Sequence, residues 1–275
     1  MLWQRLLSAA VGIPLALVVV WQGGLWFTGA VLLLALVAYQ EFHGALRRKG
    51  IEALREVGFP AVAALVLGSH FLSGEELLYL FQGVLVVTAI GSLAFHLFVA
   101  VRGPRVVSSA VTVLGVVYIG VLFSFFVMVR ELPGVGIGTP LPLGLRLFVV
   151  TLLSTWGADT GAYALGKSVG RRKLCPAVSP GKTWEGVGGG ILGAVLVAGY
   201  AGWWARFPSQ HALVLGILFA LFGLLGDLSK SVIKRDVGVK DFGTIIPGHG
   251  GVLDRLDSLM VNMPAAYLFA LAFMQ

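Results

Sequence analysis

Residues 212–235 read A-L-V-L-G-I-L-F-A-L-F-G-L-L-G-D-L-S-K-S-V-I-K-R, an apolar run from Ala212 to Leu225 that ends in an ionic stretch. Asp227, Lys230, Ser231 and Lys234 fall at i, i+3, i+4 and i+7 and so share one side of a helix, while Leu228, Val232 and Ile233 point elsewhere. Insertion scales price a charge at mid-membrane at about 2.5–3.5 kcal/mol, so ionisable groups on such a helix are functional candidates. The rest of the chain has the same character. Of its 275 residues 57% are hydrophobic and 12% charged, with a mean hydropathy of +0.91, whereas soluble domains carry about 25% charged residues. A large soluble domain is excluded, and the predicted fold class is an all-α, polytopic integral membrane protein.

A crossing needs about 20 apolar residues for a hydrocarbon core of roughly 30 Å. Apolar segments run over 6–21, 25–39, 59–71, 77–101, 106–129, 143–165, 187–204, 212–225 and 252–274, which predicts about nine transmembrane helices. The first lacks a small-x-small cleavage pattern and reads as a helix that stays. With the N-terminus cytoplasmic and the C-terminus outside, 17 of the 20 Lys and Arg residues fall on the cytoplasmic side, leaving Arg130, Arg146 and Arg206 outside. The net charge of +7 is thereby explained by anionic headgroups and cytoplasmic ligands, without nucleic acid. Three regions are predicted: a hairpin with an amphipathic cytoplasmic loop over 1–56, a three-helix region over 57–135, and a catalytic region over 136–275 with cytoplasmic loops 166–186 and 229–257. The first half is almost purely aliphatic and reads as carrying no chemistry.

Chemistry gathers in the second half. Trp156, Asp159, Thr160, Tyr163 and Lys167 form one helical stripe. The loop after Lys234 holds Arg235, Lys240, Asp241 and then Gly248-His249-Gly250-Gly251, where glycines and the start of a helix near Val252 offer N–H groups to an anion. Asp254 and Asp257 follow on one face of that helix. Either alone reads as a helix cap; together with Asp227 they read as oxygen ligands for Mg²⁺. Gly181-Lys182-Thr183 ends like a P-loop, but the first glycine of that motif would stand at Pro176. Lys182 and Ser179 remain phosphate-binding candidates. The single Cys175 has no disulfide partner and reads as structural; Gly188-Gly189-Gly190 reads as helix packing.

The run S-V-I-K-R-D-V-G-V-K-D-F-G-T-I-I-P-G-H-G-G-V-L-D-R-L-D over 231–257 resembles the signature of the phosphatidate cytidylyltransferase (CDP-diacylglycerol synthase) family, without departure across its 27 positions. Trp156-x-x-Asp159-x-x-Ala162-Tyr163 and Ser179-Pro180-x-Lys182-Thr183-x-Glu185-Gly186 are similar to upstream motifs of that family. The resemblance implies transfer of CMP from CTP to phosphatidic acid in phospholipid biosynthesis, Mg²⁺ dependence with Mg²⁺ or K⁺ as a candidate second cation, and a homodimer in the cytoplasmic (inner) membrane with its active site facing the cytoplasm. The expected catalytic groups are Asp227, Lys240, Asp241, Asp254 and His249; His249 suits either leaving-group protonation or a turn-stabilising bond. Substrate contacts are expected from Ser179, Lys182, Thr183, Lys230, Ser231, Lys234, Arg235, Gly250 and Gly251, and metal ligation from Asp227, Asp254, Asp257 and Asp159.

Three other readings use similar parts. A cation-coupled transporter would place its carboxylates near the midplane on broken helices, whereas these lie at one end beside basic loops. A CDP-alcohol phosphotransferase needs D-G-x-x-A-R, and Asp257 is followed by Ser258-Leu259. A CTP-dependent polyprenol or phytol kinase is nearest in chemistry, and the complete phosphatidate signature argues against it.

Overall fold

The computed structural model describes residues 12, 14–99, 103–134, 139–243, 245 and 250–274. Of the helix expected over 6–21, residues 6–11 and 13 lie outside the described residues, and residues 12 and 14–21 are helical. Eight further helices follow: α1 (Gly24–Arg48), α2 (Arg55–Phe71), α3 (Gly74–Phe95), α4 (Arg105–Arg130), α5 (Leu143–Ser168), α6 (Trp184–Trp204), α7 (Ser209–Val237) and α8 (Val252–Phe273). All but α2 and α5 are long and apolar enough to cross a membrane, six among the described residues. The 17 residues of α2 rise only about 25 Å, less than a hydrocarbon core. α5 carries Arg146, Asp159 and Lys167. The chain has the all-α, multi-helix architecture of an integral membrane protein.

Two differences from the sequence expectation concern local structure. The amphipathic loop expected within 1–56 begins only after Arg48, because the helix predicted over 25–39 continues that far and takes Glu41 with it. The loop 166–186 folds into an antiparallel hairpin of β1 (Lys173–Cys175) and β2 (Ser179–Thr183), pairing Lys173 with Thr183 and Cys175 with Ser179. Neither strand shows the alternation of apolar and polar residues that marks a half-buried strand.

The chain forms two compact units, Met1–Met128 with Asp236–Arg255, and Val129–Arg235 with Leu256–Gln275. In the first, Tyr39 and Phe42 of α1 are fully buried with Val62 and Leu65 of α2 and Ile119 of α4. Tyr39 donates its hydroxyl to Leu54 O at 3.2 Å, and Leu54 N donates to Thr112 Oγ1 at 2.8 Å. A π-helical stretch interrupts α4 over Val116–Val121. In the second unit, α5 and α6 meet along glycines: a Cβ on Gly157 would come 2.7 Å from Val197 Cγ2, and one on Gly189 2.7 Å from Leu165 Cβ. Gly189 and Gly190 thus serve packing as expected, while Gly188 faces open space. Hydroxyls inside the helices close on their own backbone, as Thr151 does on Leu147 O at 2.8 Å and Thr155 on Thr151 O at 2.7 Å, which satisfies polar groups where water is absent. Arg146 is buried, donating to Ala205 O at 2.6 Å with its guanidinium over the Phe207 ring.

Candidate active site

Four ionic side chains of the second unit are joined in series. Lys182 Nζ lies 2.7 Å from Asp227 Oδ2, Lys230 Nζ lies 3.0 Å from Asp227 Oδ1, and Lys230 also pairs with Asp257. Three elements supply them: β2 gives Lys182, α7 gives Asp227 and Lys230 one turn apart, and α8 gives Asp257. Gly226 makes the approach of α8 possible, because a Cβ there would overlap the Asp257 carbonyl and stand 3.0 Å from Val261 Cγ2. Lys230 and Asp257 are 8% and 7% exposed, so each needs the other: an uncompensated buried charge is strongly destabilising. One turn deeper, Asn262 Nδ2 donates to Thr155 Oγ1 at 2.8 Å and fixes α8 to α5.

Asp159 on α5 interacts electrostatically with Lys182, Asp227 and Lys230. It also lines a cavity of about 420 Å³ together with Lys167 and Lys182 and the apolar Ala162, Val187 and Leu224. That volume lies in the usual range for small-molecule sites, about 300–1,000 Å³. Such a mixed lining suits a ligand that is part anion and part hydrocarbon.

Several candidates have structural roles. Thr183 caps α6, its Oγ1 accepting from Gly186 N at 3.1 Å. Glu185 accepts from Arg171 N at 3.1 Å and from Arg172 N, which closes the turn into the hairpin. Ser231 returns its hydroxyl to Asp227 O at 2.8 Å, and Arg235 Nε donates to Val178 O at 3.2 Å, tying the end of α7 to the hairpin. Ser179 begins β2, and Lys234 is half-buried on α7.

The remaining candidates belong to the first unit. Lys240 and Asp241 are exposed on the loop after α7, and Gly250 holds φ 88°, a left-handed conformation that favours glycine. His249 lies outside the described residues. Asp254 Oδ2 accepts from Phe242 N at 2.9 Å and from Gly251 N at 3.2 Å. Glu41 accepts from Val252 N at 3.0 Å and Leu253 N at 3.1 Å. The helix start near Val252, expected to receive a substrate anion, thus has its leading N–H groups engaged by the protein's own carboxylates. Sequence reading passed over Glu41; the signal available was an ionisable residue directly continuing an apolar helix.

Among the described residues, no group of three or more His, Cys, Asp or Glu side chains is arranged to hold a metal ion. Mg²⁺ asks for less than a full cage, since one or two carboxylates completed by water and substrate phosphates are its usual site. Asp227 and Asp257, both paired with Lys230, are the carboxylates here that could hold it.

Comparison with known proteins bears on this arrangement. The model of the cytidylyltransferase family matches residues 3–273. A phosphatidate cytidylyltransferase of Synechocystis sp. is 34% identical over 286 residues, covering 97% of this chain and 95% of that protein. The Bacillus subtilis protein of the same name is 33% identical over 279 residues, covering 98% of each. That of Staphylococcus epidermidis is 33% identical over 267 residues, covering 94% of this chain and 95% of that protein. With the match running through all eight described helices and the hairpin, this chain belongs to the cytidylyltransferase family.

Proposed function

We propose that this chain transfers CMP from CTP to phosphatidic acid, giving CDP-diacylglycerol and pyrophosphate, at the cytoplasmic side of the cytoplasmic (inner) membrane. The observation that carries the reading is the series Lys182, Asp227, Lys230 and Asp257, in a chain whose relatives are named for this reaction. A phosphate oxygen of the lipid bonds to the α-phosphorus of CTP as the bond from that phosphorus to the bridging oxygen breaks, and pyrophosphate leaves. A phosphomonoester has its second pKa near 6, so the attacking oxygen is largely deprotonated at neutral pH and needs no strong base.

The difficulty is electrostatic, because one anion must approach another and charge grows on the leaving group. Lys182 and Lys230 answer it by turning from their carboxylates to phosphate oxygens. Asp227 and Asp257, with Asp159 as a further donor, would hold Mg²⁺, which supplies charge neutralisation on the phosphates when bound. Lys240 and Asp241 lie on the loop within reach of cytosolic nucleotide in the proposed topology of nine crossings, N-terminus inside and C-terminus outside. Two copies form the working unit.

Thin-layer chromatography of lipids made from CTP labelled at the α- or the γ-phosphate tests the reaction. Only the α-label should appear on the lipid. Transfer of the γ-label would instead mean a CTP-dependent kinase.

A further inference from the structure

The N-terminal half carries a buried carboxylate. Glu41 sits near the cytoplasmic end of α1 at 5% exposure, and a carboxylate so placed persists only when its charge is met. It is met by backbone. Oε1 takes the Val252 N–H and Oε2 the Leu253 N–H, across 211 residues of sequence. These belong to the four N–H groups that every helix start leaves without a partner, and the helix dipole adds to the attraction. Two described glycines before α8 are fitted to the same carboxylate. A Cβ on Gly251 would stand 2.7 Å from Glu41 Cδ, and one on Gly243 2.8 Å from it; the three nearest atoms at both positions all belong to Glu41. Neither glycine has a positive φ, so close approach to Glu41 is what requires glycine there.

We propose that Glu41 is a positioning residue for cytidylyl transfer: by holding Val252 and Leu253, it fixes the start of α8 and the loop that carries Lys240 and Asp241. Asp254 completes the hold from within the loop, through Phe242 N and Gly251 N. The inference rests on the proposed reaction for its kinetic part and on geometry alone for the rest.

The test uses the full-length protein in detergent and in liposomes. Glu41→Gln keeps the size but turns an NH₂ group onto one of the two N–H donors. It should lower kcat about tenfold or more, since misplacement by 1 Å can cost about 10²-fold, while KM for CTP changes far less. Amide exchange over 250–255 should quicken, with insertion and thermal unfolding temperature close to wild type. Gly243→Ala should lower kcat in the wild-type background and cost little more in Glu41→Ala, because the clash is with Glu41 itself. Should Glu41→Gln fail to insert, Gly243→Ala in the two backgrounds carries the test alone. Wild-type kcat and exchange in Glu41→Gln, or full additivity of the glycine substitution, overturns the proposal. Failure of the wild-type protein to form CDP-diacylglycerol would count against the reaction instead, and amide exchange would still decide the role of Glu41.

Discussion

Lys230 and Lys182 both pair with Asp227, but their surroundings differ. The Lys230 side chain is 10% exposed and holds Asp257 as well; the Lys182 side chain, on the hairpin, is 26% exposed. Removing one partner of a buried pair costs about 3–5 kcal/mol, whereas a pair open to water is worth about 1 kcal/mol or less. Lys230→Met should therefore lose turnover together with several degrees of unfolding temperature, and Lys182→Gln should lose turnover with its unfolding temperature nearly unchanged. Equal unfolding temperatures for the two variants would mean that burial does not separate them. The face holding Asp227 and Lys230 was legible in the sequence, because helical spacing alone brings residues three and four apart together. Their bonds to Lys182 and Asp257 were not, since no local pattern encodes a contact between elements. Glu41 escaped for a related reason: its partners are backbone groups, which carry no mark in a sequence.

At the scale of elements, the seam between α5 and α6 depends on small residues. A Cβ on Gly161 would overlap the Gly189 carbonyl and stand 3.2 Å from Gly193 Cα. Gly161→Val should cost about 3 kcal/mol as overpacking and reduce the yield of folded protein, while Gly188→Ala, facing open space, should be tolerated; gel filtration and thermal unfolding in detergent read both. The α6 helix also tests the orientation of the chain, because the proposed topology sets its ends on opposite sides. In a Cys175→Ser background, Arg171→Cys should react only with reagent supplied from the cytoplasmic side and Gln210→Cys only from the outer side. Labelling of both from one side would remove α6 as a crossing. Helices in this chain announced themselves by length and hydropathy. The hairpin did not, because strands this short, built around Pro180 and Gly181, carry too few side chains to display a period.

For the molecule as a whole, the apolar composition led directly to a multi-helix membrane protein, since about 20 apolar residues per crossing leave little chain for anything else. The grouping of Asp236–Arg255 with Met1–Met128 could not be read that way. It depends on pairs such as Lys49 with Asp236, 2.9 Å apart, and on Glu41, all distant in sequence. The proposed place of CMP transfer is the ionic series around Asp227. The most direct test is the rate of CDP-diacylglycerol formation from labelled CTP by Asp227→Asn in proteoliposomes, measured over a range of Mg²⁺ concentrations. Asn keeps the size and removes the charge, and Lys230 retains Asp257, so the protein should insert and stay monodisperse. The rate should fall by about 10²-fold or more, as for loss of a principal electrostatic group, with the residual activity needing more Mg²⁺. Ordinary turnover with an unchanged Mg²⁺ requirement would contradict that placement.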